Sequence, residues 1–196
     1  LFRALSEKYP ELELVHRDIL DITPPTTPYK LIANIPYNIT GAILEKFLSA
    51  EFQPKRMVLL VQDEVAKRIM GWRGHRVSTS GKESILSISV KAYGTPRYIE
   101  RVLAGSFVPA PQVDSAIISI ENISKKFFSE ISEEKFFTIL KAGFASKRKK
   151  LSSNLAILFG KKKVAETFHQ FGLDENVRAE DVSAQMWGKM AGALVI

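Results

Sequence analysis

The chain has 196 residues, 45% of them apolar, with 28 Lys+Arg against 21 Asp+Glu and no cysteine. That is enough apolar material for a sizeable core, and no apolar run is long enough to cross a bilayer as a helix. Disulfides and thiolate metal sites are excluded, and the missing cysteines fit a reducing, cytoplasmic setting.

His16, His75 and His169 lie far apart and have no metal-ligand spacing, so no metal is expected. The charge is uneven. Residues 1–70 carry 9 Lys+Arg and 9 Asp+Glu, which leaves 19 and 12 for residues 71–196 and places the whole +7 there. Residues 141–163, "KAGFASKRKKLSSNLAILFGKKK", hold eight basic residues and no acid. Such a block suits a polyanion such as RNA, although a solvated helix face would look the same.

In chain order, "LFRALSEKYP" reads as helix over 1–9, already in mid-course at Leu1, with Pro10 ending it. The chain is therefore expected to lack its natural beginning. "LELVHRD" (12–18) alternates apolar and polar and reads as a strand. "TPPTTP" (23–28) is a connector, and "YKLIAN" (29–34) the next strand. "GAILEKFLSA" (41–50) has helical spacing. "RMVLLVQ" (56–62) is a continuous apolar run of the kind buried on both faces. "DEVAKRIM" (63–70) reads as helix, and 71–84 as a mobile loop. "ILSISVKAYG" (85–94) and "SAIISIE" (115–121) read as strands, with the proline-rich "SFVPAPQVD" between them. Helices are expected over 132–145, 147–159, 161–171 and 183–195. The pattern predicts a mostly parallel α/β sheet with an antiparallel edge, then a helical unit. The division falls near 122–131, giving domains 1–125 and 126–196.

Why should a strand end in "NIPYNIT"? In open α/β sheets, ligands bind beyond the carboxyl ends of strands. Two predicted strands end there in polar groups, Asp18 and Asn34. Pro36 fixes its own φ and pushes Ile35 out of the helical region, which keeps the Ile35 carbonyl free. That carbonyl and the Asn34 side-chain oxygen can converge on one small donor, with Tyr37 as a flat face beside them. An exocyclic amine fits, and the N6 of adenine offers two N–H donors. Two acceptors aimed at them favour a pyramidal nitrogen with its lone pair exposed. A stacked aromatic is worth about 1–3 kcal/mol per base. A base presented this way must leave its helix or come from an unpaired loop. The same residues would also serve as an ordinary turn.

The sequence resembles the small-subunit ribosomal RNA adenine dimethyltransferases over nearly its whole length. The segments that carry the likeness are "HRDILDI", "NIPYNIT", "VQDEVAKRI", "SFVPAPQVDSAIISI", "KAGFASKRKKLSSNL" and "VRAEDVSAQMWGKMAGAL". The resemblance implies a Rossmann-like methyltransferase sheet, incomplete at its N-terminus, with a small C-terminal helical domain. It implies S-adenosylmethionine as cofactor and transfer of methyl groups to N6 of two adjacent adenines near the 3′ end of small-subunit rRNA. The partner is then the immature 30S subunit, and the protein a monomer. By the same resemblance, Asp18, Ile19 and Asn34 fall on the cofactor. Asn34, the Ile35 carbonyl and Pro36 hold the target amine, Tyr37 stacks on the adenine, and Phe107 covers it from another side. Lys147, Arg148, Lys149 and Lys150 would contact RNA phosphates.

The family's glycine-rich cofactor loop and its ribose-binding acid have no counterpart in residues 1–17. Residues 1–196 alone are therefore expected to bind the cofactor poorly and to transfer slowly or not at all. The alternatives are a silent rRNA-binding assembly factor and a large-subunit methyltransferase of the macrolide-resistance type. "VQDEVAKRI" and "ASKRKKLSSNL" speak against the latter.

Overall fold

The structure is a computed structural model that describes residues 2–72 and 81–194. Its centre is a four-stranded sheet of β1 (Lys30–Asn34), β2 (Arg56–Gln62), β3 (Thr95–Val102) and β4 (Ser115–Glu121), in the order β1-β2-β4-β3. β1 and β2 are parallel, while β4 runs antiparallel to both β2 and β3. The single reversed strand thus lies inside the sheet, second from its margin, and not at the edge as predicted.

The apolar run of β2 sends Met57, Leu59 and Val61 into a fully buried layer. They meet Ala116, Ile118 and Ile120 of β4, also fully buried, across the antiparallel ladder. Ile43, Leu44, Phe47 and Leu48 of α2 (Thr40–Ser49) close one side, joined by Ala66 and Ile69 of α3 (Asp63–Met70). α1 (Phe2–Lys8) buries no residue.

A second core belongs to helices α5 (Glu133–Gly143), α6 (Leu151–Phe159), α7 (Lys161–Gln170) and α8 (Ala184–Ala193). Trp187 and Phe136 are fully buried in it. Ser132 and Ser183 cap α5 and α8 by accepting from Lys135 N and Met186 N. Phe128 and Phe137 pack against both cores and join them.

Three expectations need correction, and one strand went unread. Residues 85–94 are not a strand: Ile85–Tyr93 is helix α4. Ser84 caps it, with Ser87 Oγ accepting from Ser84 N at 2.7 Å and Ser84 Oγ from Ser87 N at 3.1 Å. The helix lies between the cores: Ile88 and Ala92 enter the helical one, Val90 and Tyr93 the sheet. Burial on two sides erases the one-sided period by which a helix is read. β3 went unread because it is a polar edge strand, carrying Pro96 and a register shift between Tyr98 and Glu100.

Residues 12–18 form no strand. They are mostly exposed, and no described strand lies beside them to supply a ladder. Finally, α6 begins at Leu151, so 147–150 is loop and not helix. The Leu151 amide donates to Val177 O at 2.9 Å, and four adjacent cations repel one another on a helical turn. Of the loop expected over 71–84, residues 73–80 lie outside the described residues.

Gly143 marks the tightest approach in the helical core. A Cβ there would collide with Trp187 Cη2 and come within 2.8 Å of Leu151 Cδ1. Gly143→Ala should therefore destabilise the protein by about 1–3 kcal/mol, read as a lower denaturation midpoint. An unchanged midpoint would mean that Trp187 has room to move.

Candidate active site at the strand ends

β1 stops at Asn34, and the next five residues turn the chain into α2. Pro36 has φ −57° and ψ 132°, which is extended and not helical. Ile35 is buried as a plug, while Asn34 and Pro36 are exposed. The turn is stapled by Ile39 N donating to Pro36 O at 3.2 Å and Thr40 Oγ1 to Tyr37 O at 3.0 Å. Neither the Asn34 side chain nor the Ile35 carbonyl takes a hydrogen bond from a described residue. Two acceptors at one strand end are thus left without a protein donor among the described residues. Tyr37 is half-buried, and its hydroxyl shares a 2.6 Å hydrogen bond with Ser115 Oγ on β4.

Phe107 is half-buried and follows the turn Ala104–Ser106. That turn is tied to the sheet by Asp114, whose Oδ1 accepts from Ala104 N at 2.8 Å. Its Oδ2 accepts from Arg101 Nε at 3.0 Å and from a second guanidinium nitrogen of the same residue. The Ala104 amide and then the Arg101 guanidinium hold the Asp114 carboxyl below the usual carboxylate range. Leu103, Val108 and Val113 stand exposed along this segment, giving it an apolar lip.

Behind the lip lies a polar brace. Asp63 N donates to Asp114 O at 3.0 Å, and the Asp63 carboxylate receives Tyr98 OH at 2.7 Å and Lys67 Nζ at 2.7 Å. Burial alone pushes the Asp63 carboxyl up. Hydrogen bonds from Lys67 and Tyr98, with the charges of Lys67 and Arg101, more than reverse this and leave it lowered. Burial, then the Asp63 hydrogen bond, pushes the Tyr98 phenol up to about 12.

Asp18 is exposed and turns the chain, its Oδ1 accepting from Leu20 N at 2.8 Å. Its other carboxylate oxygen has no described partner. Lys46 of α2 donates to Leu20 O at 2.5 Å, which fixes this turn to the helix that starts beside Asn34. Ile19 packs on the sheet core. An open carboxylate oxygen next to an anchored apolar residue fits the exocyclic amine and ring of an adenosyl group. Among the described residues, no group of three or more His, Cys, Asp and Glu could hold a metal.

Lys147, Arg148, Lys149 and Lys150 are all exposed, on the loop between α5 and α6. None has an ion-pair partner among the described residues. Buried Asn154 steadies the loop by donating Nδ2 to Gly143 O at 2.6 Å and Ser146 O at 3.1 Å. The loop leads into Leu151 of the helical core and the strand-end turn rests on Ile35 of the sheet core, while Lys147 lines a cleft together with Gly41 and Glu45 of α2. The structure therefore brings together Asn34, Ile35, Pro36 and Tyr37, ties Phe107 to the same strand end through Asp114, and places Lys147 of the basic loop on a cleft shared with α2. Sequence reasoning missed Asp63, Asp114 and Ser115 as parts of the site. The only signal was the Asp-Ser pair that opens the strand "SAIISIE".

A family model described as Ribosomal RNA adenine dimethylase matches residues 1–194. The chain belongs to the ribosomal RNA adenine dimethylase family. A relative from Dehalococcoides mccartyi, named Ribosomal RNA small subunit methyltransferase A, is 40% identical over 97% of this chain and 66% of its own length. A protein of the same name from Trichormus variabilis is 36% identical over 85% of this chain and 61% of its own. The chain thus spans somewhat less than two thirds of the length of these curated relatives. Among solved structures, a dimethyladenosine transferase from Plasmodium falciparum superposes with a TM-score of 0.77 at 23% identity, covering 96% of this chain and 74% of that one. The 23S rRNA methyltransferase ErmE gives 0.74 at 22%, covering 98% and 77%. At these identities the two structures support the Rossmann-like fold of the dimethylase family and no more.

The brace makes a pH-dependent contribution. A carboxyl lowered in the folded state stabilises above its unfolded value near pH 4 and loses that contribution as the pH falls further. Asp63→Asn should lower stability at neutral pH by about 1–3 kcal/mol and flatten the acid limb of a stability-versus-pH curve. An acid limb identical to that of the unaltered protein would remove Asp63 from this role.

Proposed function

We propose that this chain carries the base-holding and RNA-holding parts of a ribosomal RNA adenine N6-dimethyltransferase. Its cofactor is S-adenosylmethionine, and its substrate is a pair of adjacent adenines near the 3′ end of small-subunit rRNA in the immature subunit. The protein acts as a monomer in the cytoplasm. Residues 1–125 form the catalytic domain and 126–196 the helical RNA-binding domain, a division supported by the presence of two apolar cores, which α4, Phe128 and Phe137 connect. The observation that carries the reading is the pair of acceptors, Asn34 and the Ile35 carbonyl, left without a described donor beside the anchored ring of Tyr37.

The cofactor supplies an electrophilic methyl group on a sulfonium sulfur. The chain's own contribution is to present a weak nucleophile. The two acceptors take the two N–H groups of an adenine N6, which turns the nitrogen lone pair away from the protein and toward the methyl donor. Tyr37 offers one face to the base and Phe107 covers another side. The methylated nitrogen would then lose its surplus proton to solvent, so no strong base is required at this turn. A singly methylated amine keeps one N–H, which either acceptor can hold for the second transfer. Asp18, Ile19 and Asn34 are the residues that would hold the adenosyl portion of the cofactor.

The direct test is transfer of labelled methyl groups, by the whole protein and not by residues 1–196 alone, to small subunits that lack the modification, with large-subunit rRNA as control. N6,N6-dimethyladenine confined to small-subunit rRNA is expected. Label only in large-subunit rRNA would favour the macrolide-resistance type of enzyme, and RNA binding without any transfer would favour an assembly factor.

Two variants separate the roles. Asn34→Ala should nearly abolish transfer while RNA affinity stays close to that of the unaltered protein, because an acceptor used in the transition state governs rate more than binding. Near-normal turnover would contradict this role. Neutralising two of Lys147, Arg148, Lys149 and Lys150 should flatten the slope of log affinity against log salt by about 1–2. An unchanged slope would return these residues to a merely solvated surface.

A further inference from the structure

We infer that Ser115 is a positioning residue for the target base, acting through the Tyr37 hydroxyl; this rests on the proposed role of Tyr37. Ser115 is fully buried, the first residue of β4, paired with Gln62 on one side and Val102 on the other. A strand held on both sides is the least movable support the sheet offers. From that support the Ser115 hydroxyl reaches across to Tyr37, 78 residues away in sequence, at 2.6 Å.

Tyr37 needs this support. Its backbone belongs to a three-residue 3₁₀ turn, Tyr37–Ile39, with no side-chain cap. Ring rotation about the side-chain torsions would otherwise be limited only by packing, and the ring is half-buried. Anchoring the hydroxyl fixes the far end of the ring, so both ends of the side chain are held. The orientation of the stacking face is then set before any base arrives. Pre-set geometry of this kind removes an ordering cost from the bound state.

Asp114 is the loop residue directly before β4, and Ser115 the first residue of the strand. Ser115 points to Tyr37, while its neighbour Asp114 holds Ala104 and Arg101 and so the segment leading to Phe107. One Asp-Ser pair therefore fixes both aromatic walls to a single strand end.

The test is a double-mutant cycle of Ser115→Ala and Tyr37→Phe in the whole protein. Each single change removes the same bond, Ser115→Ala from the buried side and Tyr37→Phe from the half-exposed side. The readouts are kcat and KM for transfer, and the fluorescence of an RNA hairpin with two unpaired loop adenines, one replaced by 2-aminopurine. Loss of one neutral hydrogen bond should lower kcat about five- to tenfold in either single variant, with KM for RNA changed less than about twofold. The probe's response should shrink in both, and the double variant should be no worse than either single one.

A full probe response in Tyr37→Phe, or additive losses in the double variant, would overturn the inference. Should Ser115→Ala fail to fold, Tyr37→Phe alone still decides it, since it leaves the strand intact. If the unaltered protein binds the hairpin without changing the probe's fluorescence, the base-holding reading itself fails and the inference falls with it.

Discussion

The strand-end turn depends on a restriction imposed by one ring. Pro36 has no amide hydrogen and bars Ile35 from helical geometry, so the chain cannot pass straight from β1 into α2. A direct passage would have drawn the Ile35 carbonyl into the helix as an acceptor. Instead the backbone stays extended through Pro36 and only then winds into the 3₁₀ turn. The carbonyl and the adjoining carboxamide are left without a donor among the described residues. Burial of Ile35 beneath them anchors the turn, so the two acceptors stand on a rigid base.

Everything behind the turn steadies it. α2 is pinned to the sheet by Ile43, Leu44, Phe47 and Leu48, and through Lys46 it carries the turn that displays Asp18. β4, paired on both edges, starts at Ser115, directly after Asp114. Asp63, at the start of α3, links β4 back to β3 through Asp114 O and Tyr98 OH. The polar groups around the site are therefore consumed in bracing one another. The acceptors at Asn34 and Ile35, like the second oxygen of Asp18, have no donor among the described residues.

How much of this could be read from the sequence varied with how one-sided each element is. β1, α2, β2 and α3 were legible because each buries one face or one continuous run, and their periods survive in the residue order. α4 was misread because it is covered on two sides, so "ILSISVKAY" looks like an alternating strand. The segment 12–18 has strand composition, yet a strand exists only beside a partner, and none is described there. The strand-end residues were legible because proline and asparagine act locally. Ser115 and Asp114 were not, because their partners lie far away in the chain, and no local pattern encodes a contact made by register.

The basic loop 147–150 follows the same division. Its charge was visible, but its conformation was set by Val177 and Asn154 from outside the segment. In the proposed reading, an unpaired adenine lies against the turn formed by Asn34, Ile35, Pro36 and Tyr37. The most direct measurement is photo-cross-linking of an RNA hairpin bearing 8-azidoadenine at one of two unpaired loop adenines, with the attachment point mapped by mass spectrometry. The account predicts attachment within residues 34–37 or at Phe107. Attachment confined to the helical domain would contradict it.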